Sequence, residues 1–258
     1  KINSKNIDVS IIPTQNLKHT ILELKKLKNK KYLIAWMDTI NQKNFGRSII
    51  ISGEHSKDNN LNFKKKILFY FPAFIGKFFV NDLFIKLFNK IYFYYFEKKF
   101  SFKQDIESFF YPLDKIINWN KFYGKKGFTQ IQIIIPEQKK LFYVTKKIFL
   151  FLNNNKIYSY LTTLKEFGKS NKNFLSFPQK GLTITLDIPV SEKLNTIYPN
   201  FEKILIKYGV KVYLAKDSYM SKILFKKTYR QLNNFVKIRK KFDKDKKFLS
   251  LQSERLGI

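Results

Sequence analysis

The sequence predicts an α+β fold, a largely antiparallel sheet with helices packed on it, and three observations predict it. Two runs alternate apolar and polar residues with period 2, GFTQIQIIIP at 127–136 and GLTITLDIPV at 181–190, the pattern of strands. Two other stretches repeat apolar residues every three or four positions: Leu141, Val144, Ile148 and Leu152, then Leu194, Ile197, Phe201, Ile204 and Leu205. That spacing lines one face of a helix. Strand-like runs also follow one another without strict βαβ alternation, which favours α+β over a doubly wound parallel sheet.

Taken in order, the chain opens with a strand at Ile7 to Ile12. A helix follows, with Thr14 as N-cap and Leu17, Ile21 and Leu24 on one side. KYLIAWMDTI (31–40) and GRSIIIS (46–52) read as strands, and SGEHSKDNNLN (52–62) as an exposed loop. Trp36 is either core or a pocket wall. Residues 67–100 are dense in aromatics, but the uncharged stretch ILFYFPAFIG is far shorter than the roughly 20 apolar residues a bilayer span needs. Phe79, Leu83, Leu87 and Ile91 predict a helix from Asn81 onward. That helix is either a core or cap element, or an interfacial segment that dips aromatics into a membrane surface with lysines at the headgroups.

The strand at 128–136 is the centre of the reading. It places Phe128, Gln130, Gln132 and Ile134 on one face, and Thr129, Ile131, Ile133 and Ile135 on a core-like face. Gln130 and Gln132 lie roughly 7 Å apart along one strand. Each offers an acceptor and two donors, which suits a polyhydroxylated ligand; solvated glutamines on an open sheet face would look the same in sequence. A helix at 137–153, a strand at YSYLTTLK and the half-buried strand 181–190 follow. The polar face of that last strand, Thr183, Thr185 and Asp187, either continues the glutamine face across the sheet or is a solvated sheet face. Residues 191–208 read as a helix that Pro199 breaks or kinks, closed by Gly209 at C′. A short strand at 210–214 and helical patterning beyond Ile223 complete the chain.

Composition narrows the chemistry. The 258 residues allow one large domain or two modest ones. There is no cysteine, so no disulfide framework and no thiolate metal site. His19 and His55 are the only histidines, which argues against a His-based metal site or a Ser–His–Asp relay. No Walker loop, GxGxxG or nucleophile elbow is present. The net charge of +31 invites a nucleic-acid reading. However, only Arg47, Arg230, Arg239 and Arg255 are arginines, and bidentate phosphate and guanine recognition favours Arg. The lysines are scattered, so the expectation is no specific nucleic acid. Lys216, after the apolar VYLA and before Asp217, reads on composition as a surface lysine.

Six stretches in order, IAWMDTI with FGRSIIISGEH, YPLD with INWNKFYGKKGF and TQIQIIIP, YSYLTTLKEFG, FLSFPQKGLTITLDIPV, VYLAKDSYM and FLSLQSERLGI, resemble the FAD-linked oxidase family. The likeness is to the flavoprotein subunits of decaprenylphosphoryl-β-D-ribose 2′-epimerases and runs from about Trp36 to the last residue. It implies a substrate or cap domain at 1–210, and a segment at 211–258 that returns to complete an N-terminal FAD domain. The Gly-rich pyrophosphate loops of that domain have no counterpart here. With Lys as the first residue, the expectation is that the N-terminus has been cut away.

The resemblance implies roles as well. Lys216 matches a lysine that reaches flavin and substrate, as the catalytic and cofactor-binding residue, and Tyr213 a flavin-contacting tyrosine. Trp36, Gln130, Gln132, Lys165 and Thr183 match substrate-pocket positions. The implied reaction is oxidation of the C2′ hydroxyl of a polyprenyl-phosphoryl ribose, with FAD as cofactor and an NAD(P)H-dependent reductase subunit as partner. A cytoplasmic location, peripheral at the inner membrane face, follows from the lipid-linked substrate. Phe110 and Tyr111 stand where the family carries Tyr and His, Ile116 where it carries an aromatic, and Thr185 where it carries Cys. These departures leave the sugar open. An aldonolactone oxidase of the same superfamily and a non-catalytic basic module binding nucleic acid or membrane remain alternatives; the former typically carries His-Trp-Gly-Lys near the C-terminus, which YLAKD lacks.

Overall fold

The computed structural model describes residues 2–41, 43–62, 69–72 and 81–258. Phe79 and most of ILFYFPAFIG lie outside them. The first elements are β1 (Asn6–Thr14), α1 (Leu17–Lys26), β2 (Tyr32–Met37), β3 (Ser48–His55), β4 (Phe69–Tyr70), α2 (Asp82–Tyr95), β5 (Phe100–Asp105), α3 (Ile106–Phe110) and β6 (Ile116–Ile117). Then come β7 (Phe128–Pro136), α4 (Leu141–Asn154), β8 (Leu161–Phe167), β9 (Gly181–Pro189), α5 (Glu192–Tyr208), β10 (Lys211–Val212), α6 (Lys222–Thr228), α7 (Leu232–Phe242) and α8 (Leu251–Leu256). The chain forms two compact units, Lys1–Phe128 with Tyr158–Lys165, and Thr129–Ile157 with Glu166–Ile258. Both mix helices with antiparallel strands, as the patterning predicts.

In the first unit the strands lie in the order β8-β2-β3-β1-β5, and the pairings of β1 with β3 and β5, and of β2 with β3 and β8, are antiparallel. Ile7, Val9 and Ile11 of β1, Trp36 of β2 and Ile49 of β3 form a core with Phe93 of α2. Trp36 is thus core, 5% exposed, with its ring 4.7 Å from that of Tyr92. The N-cap of α1 is Asn16, whose side chain accepts from the His19 N–H, and not Thr14. Thr14 ends β1, and its buried hydroxyl bonds instead to Thr20. SGEH, expected in a loop, belongs to β3, where Gly53 pairs with Val9 and His55 with Ile7. Asn81 caps α2 through the Phe84 N–H, so the helix begins where its apolar spacing places it.

The helix α2 is turned over relative to the core reading of its stripe. Ile85, Asn89 and Phe93 face inward, whereas Leu83, Leu87 and Ile91 are exposed at 77%, 54% and 60%. Ile85 and Phe93 pack into hydrophobic clusters, and between them the inner face is held by a buried polar group. Asp38, in the strand-like IAWMDTI run, is buried and takes the Arg47 guanidinium at 2.8 Å and the Asn89 amide at 2.9 Å. Arg47 in turn stacks over the Phe93 ring. A register set by Asp38 and Asn89 overrides the period of the leucines.

In the second unit the order is β10-β7-β9, with β10 antiparallel to β7. The β9 strand is buried along nearly its whole length rather than half-buried, because its polar side chains find partners inside. Gly181 opens β9 against the Ile135 carbonyl, which a Cβ would meet at 2.1 Å; only glycine permits that approach. α5 runs unbroken through Pro199. Burial of Tyr198, Phe201 and Leu205 outweighs the proline penalty of about 3 kcal/mol. Gly209 closes α5 in the left-handed conformation (φ 64°). No helix among the described residues is long and apolar enough to cross a membrane.

Candidate functional site

The second unit gathers most of the candidate residues. Gln130 and Gln132 project from the same side of β7, and both meet β9. The Gln130 amide donates to the Asp187 carboxylate at 2.6 Å, and the Gln132 amide to the Thr183 hydroxyl at 3.1 Å. The Thr183 hydroxyl in turn donates to the Ile133 carbonyl at 2.9 Å. Gln132, Thr183 and Asp187 are 8%, 1% and 1% exposed. The face is therefore a buried polar ladder and not a solvated sheet surface. Donors and acceptors at fixed spacing in low dielectric can exchange partners with the hydroxyls of a ligand.

The turn that carries Tyr213 and Lys216 is tied to the same strand. The Tyr213 N–H donates to the Gln132 carbonyl at 2.8 Å, and the Lys216 N–H to the Tyr213 carbonyl at 3.0 Å. The Tyr213 ring packs 4.8 Å from Phe177. Asp217 fastens the turn from behind. One carboxylate oxygen accepts the Tyr219 and Met220 N–H groups at 3.0 and 2.7 Å. The other takes the Arg255 guanidinium at 2.8 Å. Gln252 adds a bond to the Leu214 carbonyl at 2.7 Å. Arg255 and Gln252 lie on α8, so the C-terminal helix holds the lysine turn in place. The reading of the sequence passed over Asp217 and Arg255 as site-forming residues. Their signals were present, an Asp beside the lysine and the single Arg of the final stretch, but each is decided by a long-range partner.

Trp36 and Lys165 lie in the first unit, Trp36 in its core and Lys165 exposed on β8. Phe110 and Tyr111 are 40% and 61% exposed. That unit also contains an apolar cavity of about 320 Å³ lined by Phe71, Phe84, Phe88, Ile116, Trp119, Phe122, Tyr123 and Tyr160, among others. Burial, and secondarily the Asp82 carboxylate, push the Tyr160 phenol up to about 12, so it stays neutral in the cavity wall. Among the described residues no group of three His, Asp or Glu side chains could hold a metal ion.

The D-arabinono-1,4-lactone oxidase family model matches residues 170–256, which contain β9, the lysine turn and α8. The chain is 29% identical over 243 residues to decaprenylphosphoryl-beta-D-ribose oxidase of Mycolicibacterium smegmatis, covering 89% of this chain and 52% of the relative. It thus spans about half of that relative's length. Over 96 residues it is 30% identical to an uncharacterized protein in the mprA 5′ region of Streptomyces coelicolor, covering 37% of this chain and 26% of that protein. Aspartate kinase from Synechocystis aligns over 82% of this chain and 44% of its own, at 11% identity and a TM-score of 0.23, too low to bear on the fold. The sequence is thus similar to the D-arabinono-1,4-lactone oxidase family over its C-terminal third and to decaprenylphosphoryl-beta-D-ribose oxidase over most of its length.

Proposed function

We propose that this chain is the substrate-binding part of an FAD-dependent oxidoreductase that oxidises a sugar hydroxyl, the C2′ hydroxyl of a polyprenyl-phosphoryl ribose. The observation that carries the reading is the similarity to decaprenylphosphoryl-beta-D-ribose oxidase over 89% of the chain, which includes the Gln130–Gln132–Thr183 ladder and the Lys216 turn. In this reading residues 1–210 form the substrate side, and 211–258 complete a flavin-binding domain. Tyr213 and Lys216 would hold the flavin. Their chemistry fits it: an ammonium and a phenol share one turn, and both oxygens of the adjacent Asp217 are already engaged by backbone N–H groups and Arg255. When bound, the flavin supplies a hydride acceptor, and a cation beside its ring stabilises the reduced anion. Gln130, Gln132 and Thr183 orient the sugar by exchanging their mutual hydrogen bonds for bonds to its hydroxyls. An NAD(P)H-dependent reductase subunit would complete an epimerisation.

The aromatic cavity of the first unit suits an isoprenoid chain. The exposed apolar side of α2, with Lys86 and Lys90 between its leucines, suits a peripheral contact with anionic lipid at the inner membrane face. A second reading, an aldonolactone oxidase, is favoured by the family match over 170–256.

The two readings separate by substrate. With the flavin-loaded enzyme containing this chain and an artificial electron acceptor, a polyprenyl-phosphoryl ribose is turned over and arabinono-1,4-lactone is not. Preference for the lactone would install the second reading. In the same enzyme Lys216→Ala lowers the rate of flavin reduction at least about tenfold, or about 1.4 kcal/mol of barrier, while the unfolding midpoint stays close to the parent's. Equal rates in the two proteins would remove Lys216 from the chemistry.

A further inference from the structure

A cleft of about 290 Å³ in the second unit lies among Pro136 and Gln138 after β7, the 170–180 loop, Lys211 of β10 and residues 228–231. None of its lining residues is acidic. Three cations reach it. Lys180 is paired with Glu137 at 2.7 Å, but Lys211 and Arg230 have no carboxylate partner among the described residues. The Lys211 ammonium donates to the Ser176 carbonyl at 3.2 Å and lies 5.1 Å from the centre of the Tyr229 ring. Burial, and then the Arg230 guanidinium, push its pKa down. Two like charges therefore address one cleft in which one of them is already partly dehydrated, an arrangement that an anion would relieve. Ser176 lines the same cleft, and its hydroxyl oxygen is buried without a hydrogen-bond partner. A buried hydroxyl left unpaired is destabilising, and a ligand oxygen would satisfy it. Side-chain amides of Gln138, Asn173 and Gln231 complete a donor-rich wall.

The geometry points to a binding site for a phosphoryl group at Lys211, Arg230 and Ser176, of a size for a phosphomonoester such as a sugar phosphate. The assignment is independent of the flavoenzyme reading, since it uses none of the residues given roles there. Phosphate is favoured over carboxylate because an ammonium, a guanidinium and a hydroxyl from different segments belong to residues lining one cleft, and three terminal oxygens offer each donor an acceptor.

Titration of the whole chain with inorganic phosphate, and separately with ribose 5-phosphate, at constant ionic strength tests it. Saturable one-to-one binding is expected, weakened at least about tenfold in Lys211→Gln/Arg230→Gln by loss of two charge-assisted bonds. The control Lys193→Gln/Lys226→Gln removes equal charge from exposed positions and binds like the parent. Equal weakening in the control, or binding that never saturates, would show only the diffuse attraction of a basic protein and overturn the site. Tighter binding of ribose 5-phosphate than of phosphate marks a phosphorylated metabolite as the ligand source; phosphate binding as well as its ester marks free phosphate. Should the variants not fold, acylation of the parent decides: phosphate protects Lys211 from acetic anhydride and chloride does not. Unchanged labelling of Lys211 in saturating phosphate would overturn the proposal.

Discussion

On β7 and β9 polar side chains are buried, and on α2 apolar ones are exposed. Gln132, Thr183 and Asp187 are all under 10% exposed, whereas Leu83, Leu87, Ile91, Tyr94 and Tyr95 are all above 50%. Both arrangements run against the ordinary partition of residues, but they are not equivalent. The buried polar groups satisfy one another, so the β7–β9 face is stable in the absence of any ligand. The exposed apolar groups of α2 have no such internal remedy. Their side of the helix stays outward because its other side is fixed by the Asp38–Arg47–Asn89 cluster. The first face holds hydrogen bonds that are closed among its own side chains. The second leaves apolar side chains exposed.

The largest test of this contrast removes what holds α2. Asp38→Ala leaves the buried Arg47 unpaired and Asn89 without its acceptor, and breaking a buried pair costs about 3–5 kcal/mol. Urea unfolding of the parent and the variant should differ by that amount. A loss below about 1 kcal/mol would mean that the leucine stripe, and not the polar cluster, sets the helix orientation. A smaller effect is expected on the other face. Thr183→Val removes the acceptor of Gln132 and one bond to the Ile133 carbonyl, costing about 1–3 kcal/mol. Adding Gln132→Met should recover part of that loss, since replacing both partners by apolar groups of similar shape is close to neutral. Additive losses would mean the two side chains are not energetically coupled.

These two faces also show what a sequence discloses. Period 2 put Gln130, Gln132, Thr183 and Asp187 on common faces, because alternation is a property of the strand itself. It could not show that the amides would reach Thr183 and Asp187, which depends on how β7 and β9 lie side by side. Likewise the helix at Asn81 was legible from its spacing and its cap, both local. Its rotation was not, because Asp38 and Asn89 are 51 positions apart. The Thr14 and Pro199 expectations failed for other reasons. A nearby Asn16 offered the better cap, and burial along α5 outweighed a local backbone preference. Lys216 could be told from other lysines only by resemblance, while Asp217, Arg255 and Gln252 declare the importance of its turn through contacts that span more than 30 positions.

The smallest stability effect is expected where the functional effect is confined to lipid. Leu83→Gln, Leu87→Gln and Ile91→Gln together replace exposed apolar side chains with a residue of comparable or better helix propensity. Each should change stability by no more than about 0.5 kcal/mol. If the outer side of α2 meets a membrane, the triple variant should lose binding to phosphatidylglycerol vesicles while keeping the parent's unfolding curve. Lysine attraction alone would survive the substitutions and vanish in salt; apolar insertion would resist salt and vanish with the leucines. Sedimentation with vesicles at low and high salt therefore separates the two. If the parent fails to bind anionic vesicles at low salt, α2 does not dock on lipid. If the triple variant binds as the parent does at high salt, the exposed leucines are not what holds the protein there.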